Sequence, residues 1–87
     1  MTLYEKIYHA INGKKTINKI AFKNHVFYLN IYLDDIIFGN KVYCFNITYR
    51  NNDYEELMNG RYKIINKDQI IQKIKKVIIQ TVLDKCD

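Results

Sequence analysis

Between Ile20 and Tyr49 apolar side chains fall at every second position: Ile20 and Phe22, then Phe27, Leu29, Ile31 and Leu33, then Tyr43, Phe45, Ile47 and Tyr49. A period of two marks a strand with one buried face, because successive side chains of an extended chain point to opposite sides. Three such runs predict a three-stranded antiparallel sheet. Asn24-His25 and Gly39-Asn40 are its expected turns, the second because glycine takes positive φ without steric cost. Closing at Gly39-Asn40 sets Ile36 opposite Tyr43, and straight continuation would put Asp34 opposite Phe45 on the buried face, where a carboxylate is costly. One extra residue at Asp34 and Asp35 removes the conflict. The sequence therefore predicts a β-bulge there, with both aspartates turned to solvent and with Leu33 facing Phe45, Ile31 facing Ile47 and Leu29 facing Tyr49.

The flanking segments have a helical period. Thr2-Leu3-Tyr4-Glu5 is a capping box, Leu3, Ile7 and Ile11 share a face, and Asn12-Gly13 offers a left-handed stop, so a helix is expected over 3–12. Asn51-Asn52-Asp53 before the stretch from Tyr54 to Asn59, closed by Gly60, reads as a short capped helix, and Arg61 to Ile65 as a short extended piece. A last helix opens at Asn66 and buries Ile70, Ile71, Ile74, Val77, Ile78, Thr81 and Val82. The expected order is α-β-β-β-α-α, an α+β fold with its helices on one face of the sheet.

The 87 residues suit one domain, 1–87. With 48% hydrophobic residues and no proline, the composition is that of a folded chain. Cys44 and Cys86 are too few and too distant for a disulfide framework, no signal-like segment opens the chain, and no apolar run approaches the roughly 18 residues of a membrane span. The expectation is a soluble, reduced, cytoplasmic protein without membrane contact.

Several stretches touch on known chemistry. Residues 31–39, IYLDDIIFG, resemble the Y-x-D-D signature of reverse transcriptases, whose paired carboxylates hold magnesium. That chemistry needs a further acid from an earlier strand. Upstream of Asp34 stands only Glu5, and the acids here precede the hairpin turn instead of forming it. Gly13-Lys14-Lys15-Thr16 ends like a phosphate-binding loop but lacks its leading glycine and follows a helix, which makes it a helix stop with solvated lysines. His9, His25, Cys44 and Cys86 have no close ligand spacing. No enzyme, metal or cofactor is expected.

What remains is surface. A net charge of +5 favours nucleic acid or an acidic protein as partner. The sheet face opposite the core carries Lys19, Lys23, Tyr28, Asn30, Tyr32, Asn46, Thr48 and Arg50, aromatic and basic groups interleaved. Lys73, Lys76, Ile79 and Leu83 form a second candidate patch on the far side of the last helix. Lys41-Val42-Tyr43-Cys44-Phe45 partly resembles the RNP1 strand of RNA-recognition domains, without its glycines. The α-β-β-β-α order resembles double-stranded-RNA-binding domains, although Asn66-Lys67-Asp68-Gln69 lacks their lysine-rich helix start.

In size and layout the chain also resembles the small anti-CRISPR proteins of phages and mobile elements, short α/β chains without a catalytic set. That resemblance implies an inhibitor that occupies the surface of a host nucleic-acid-processing protein or nucleoprotein complex, such as a Cas effector, in the host cytoplasm. The alternative expectation is a basic nucleic-acid-binding domain. A homodimer through Ile79 and Leu83 is the third.

Overall fold

The computed structural model describes residues 1–50, 54–63 and 67–85. Its elements are α1 (Leu3–Asn12), β1 (Ile17–Phe22), β2 (His25–Ile37), β3 (Asn40–Arg50), β4 (Tyr54–Lys63) and α2 (Lys67–Lys85). The four strands form one antiparallel sheet in the order β1-β2-β3-β4. The α+β class stands, with four strands in place of three.

The extra strand replaces the short helix expected over Tyr54 to Asn59. β3 would otherwise leave a long row of unpaired main-chain groups, and pairing with it outweighs the weak helical preference of this stretch. The alternation was hidden by a bulge: Ile47 pairs with Met58 and Thr48 with Glu56, so Leu57 is the extra residue. Adjacent Leu57 and Met58 both pack against the core. Arg61 to Lys63 are extended, as expected, within β4. The caps expected at Asn51-Asn52-Asp53 and Asn66, and the extended piece at Ile64 and Ile65, lie outside the described residues.

Helix α1 has the expected bounds. Glu5 N donates to Thr2 Oγ1 at 3.1 Å and Thr2 N to Glu5 Oε1 at 3.4 Å, which completes the capping box. The hydrogen bond from the Thr2 side chain holds the Glu5 carboxyl below its ordinary pKa. At the other end Gly13 is extended, with φ −80°, instead of left-handed. Glycine is needed there for another reason, since a Cβ would lie 2.9 Å from the His9 carbonyl oxygen.

Both hairpin turns fall one residue earlier than expected. Lys23 and Asn24 (φ 48° and 65°) form the first, and Phe38 and Gly39 (φ 49° and 78°) the second. Two consecutive positive φ values match the right-handed twist of the strands they join. The bulge between Leu33 and Asp35 is present, and the pairs beyond it are Leu33 with Tyr43, Ile31 with Phe45, Leu29 with Ile47 and Phe27 with Tyr49. The register thus differs by two residues from the expected one. Because the side-chain period is two, every residue keeps its face.

Ile20, Phe27, Leu29, Ile31, Phe45, Ile47 and Tyr49 of the sheet meet Leu3, Ile7 and Ala10 of α1 and Ile71, Ile74, Ile78 and Val82 of α2 in one buried cluster. Both helices therefore lie on one face. They are tied by Tyr4 Oη donating to Asp68 Oδ1 at 2.8 Å and by Lys67 Nζ donating to Asn12 Oδ1 at 2.6 Å. Among the described residues no helix is long and apolar enough to cross a membrane.

Candidate functional site

The outer face of the sheet is built from cross-strand rows. Lys19, Tyr28, Thr48 and Glu56 form one, Ile17, Asn30, Asn46 and Asn59 the next, and Tyr32, Cys44 and Arg61 a third. Tyr28, Asn46 and Thr48, three of the expected contact residues, line a shallow groove of about 320 Å³ with Ile17, Asn30 and Tyr54. The Tyr28 and Tyr54 rings stand 6.0 Å apart, and Arg50 Nη1 donates to Tyr28 Oη at 3.3 Å. Asn30 Oδ1 is buried and has no hydrogen-bond partner among the described residues. Exposed Lys19 flanks this groove. Lys23 does not lie on the face: it sits in the first turn, its ammonium 5.6 Å from the Phe22 ring centroid.

Tyr32 stands apart from that groove, beside Cys44. Hydrogen bonding to Cys44 raises the phenol pKa above its ordinary value, with charge on Cys44 and burial adding to it. Next to it the two aspartates leave the buried face, as expected, but they are held by a partner that sequence reasoning missed. Arg61 Nε lies 2.6 Å from Asp34 Oδ2, and Arg61 Nη2 lies 3.9 Å from Asp35 Oδ2. The guanidinium reaches across β3 from β4, so the pairing was invisible while residues 54–59 read as helix. Among the described residues no three His, Cys, Asp or Glu side chains stand close enough to hold a metal ion.

The second expected patch is divided. Lys73, Lys76 and Leu83 are exposed on α2, whereas Ile79 is partly buried and packs against the core. Helix α2 packs against α1 and also shares a core cluster with the sheet, so its buried arc is wider than one stripe. Ile79 is thereby withdrawn from the surface expected to carry contacts or a homodimer.

A further feature was not foreseen. β1 has 6 residues and β2 has 13, so the far end of β2 and its turn project beyond the helical layer. Leu33, expected in the buried row, is 49% exposed because neither helix extends over it. Ile36 and Ile37 are also exposed, and Phe38 at the tip is 99% exposed. Between this arm and the segment that follows α1 opens a cleft of about 650 Å³. Ala10, Ile11, Ile31, Leu33 and Tyr43 give it an apolar floor, and Lys14, Lys15, Lys41 and Lys67 surround it. The lysines read as a solvated helix stop therefore border a cavity. Nothing in the sequence states the difference in strand length that creates it.

No family model, no curated protein and no solved structure matches the chain.

Proposed function

We propose that the chain is a non-enzymatic binding protein of the anti-defence type, which blocks a nucleic-acid-processing protein or nucleoprotein complex by occupying its surface. One residue carries this reading. Phe38 holds φ 49° at the first central position of the second turn, where an asparagine or glycine would be unstrained. The same ring is almost wholly in water. Left-handed backbone costs a bulky residue roughly 1–2 kcal/mol, and exposed apolar area gains nothing in the free chain. Backbone strain coupled to an exposed aromatic supports a contact made elsewhere. Leu33, Ile36 and Ile37 are further exposed apolar residues of the same arm.

Phe38→Asn tests it. The variant is expected to melt at or above the wild-type temperature by circular dichroism, because asparagine tolerates this backbone. It should lose the partner that the wild-type chain retains in affinity capture from a host extract. Equal capture by both proteins, or no partner captured by the wild type, would count against the proposal.

A second reading has one specific observation in its favour. The groove with the unpartnered Asn30 Oδ1 between Tyr28 and Tyr54 suits a nucleobase edge beside aromatic rings. A direct nucleic-acid binder would show affinity for bare single strands that falls steeply with salt, and neutralising Lys19 and Arg50 would flatten that slope. Salt-independent or absent binding would reject it.

A further inference from the structure

The cleft lies where β1 stops and β2 continues. Ile31 N donates to Thr16 O at 2.8 Å at the end of the β1–β2 ladder. In an antiparallel ladder alternate residues turn their main-chain groups to the same side. Leu33, two residues on, therefore directs its N–H and C=O toward the side that β1 has vacated. On the other side β2 stays paired with β3 through Ile37. Among the described residues no strand pairs with this side of β2 from Tyr32 to Ile37, an edge about 20 Å long at about 3.3 Å per residue.

Edge strands are ordinarily guarded by charge, proline or a bulge. Here the guard is partial. The bulge at Asp34 is present, and Asp35 Oδ1 accepts from Ile36 N at 2.7 Å, a contact that an incoming carbonyl could replace. Leu33, Ile36 and Ile37 nevertheless leave the arm apolar and exposed. The cleft in front of it is lined by four lysines and, among the described residues, by no carboxylate. Asp34 does not offset them, because it is turned to Arg61.

We infer that this cleft receives an extended acidic segment of a partner protein, which adds to the sheet as a strand beside β2. Main-chain bonds to this edge supply affinity, alternate side chains turned to the face that carries Leu33 and Tyr43 supply fit, and carboxylates among Lys14, Lys15, Lys41 and Lys67 supply selectivity. The inference rests on the reading of the chain as a binding protein and names the chemistry of its partner. A mostly aliphatic floor suits aliphatic side chains better than bases, which stack on aromatic rings. A second copy of the chain would bring another surface of net charge +5 against these lysines.

The test is titration of isotope-labelled protein with a synthetic octapeptide of alternating glutamate and valine, followed by amide NMR shifts. Expected are shifts confined to residues 13–16 and 31–41. A Lys14→Glu, Lys15→Glu variant should bind about tenfold more weakly, a loss of about 1.4 kcal/mol. Methylating every second peptide nitrogen should abolish binding without touching the protein. The inference is overturned if millimolar peptide shifts nothing, if the shifts fall elsewhere, or if a lysine-valine peptide binds equally. It is also overturned if an octathymidylate binds the cleft more tightly, or if the protein self-associates through this edge. Failure of the peptide while Phe38→Asn still abolishes partner capture removes strand addition alone. Failure of both removes the binding reading as well.

Discussion

Phe27→Ala is expected to lower the melting temperature by more than about 15 °C. Phe27 is fully buried, lies opposite Ile20 on one side and Tyr49 on the other, and its ring stands 5.3 Å from that of Tyr49. Removing a buried aromatic ring costs roughly 3–5 kcal/mol through lost transfer energy and an unfilled cavity. A chain of this length has a total stability of about 4–13 kcal/mol. The damage would spread, since Tyr49 also contacts His25, with Oη 2.7 Å from Nδ1. Thermal melts followed by circular dichroism would show it. A shift under about 5 °C would mean that the core does not extend to this end of the sheet.

Ile74→Ala is expected to cost roughly 2–5 kcal/mol, whereas Lys76→Ala two positions along should stay within about 0.5 kcal/mol. Ile74 is fully buried midway along α2, between Ile71 and Ile78 on the stripe that faces the sheet. Lys76 is exposed and lines a shallow groove with Leu57 and Gln80. Most helical stability in a protein comes from packing of the apolar face and not from propensity. Urea unfolding should therefore show Ile74→Ala losing α2 and sheet together in one transition. Equal midpoints for the two variants would contradict the placement of α2 on the sheet.

Much of this architecture could be read from residue order because the forces involved are local or periodic. The capping box from Thr2 to Glu5 is a four-residue signal, and α1 starts where it implies. Alternation from Phe27 to Tyr49 assigned each side chain to its face even though the pairing slipped by two, since that slip preserves parity. The bulge at Asp34 followed from the cost of burying a carboxylate. β4 did not follow, because Leu57 interrupts its alternation and only the vacant edge of β3 makes an extended conformation worthwhile there. Arg61 was lost with it, as its ion pairs span three strands. Leu33 and Ile79 were misplaced because burial depends on how far the helices reach over the sheet, a quantity that no local pattern encodes. The cleft belongs to the same class: it arises from the mismatch of β1 and β2.

The succession of β1 to β4 across the sheet in chain order has a kinetic consequence. Strands that pair with their neighbours in sequence close short loops, which cost little entropy, and a topology rich in such contacts assembles fast. The helices meet differently: the bond from Tyr4 to Asp68 spans 64 positions. The sheet is thus free to form before α1 and α2 dock. During that interval its apolar inner surface is open to neighbouring nascent chains, so synthesis at high concentration favours aggregation at the docking step.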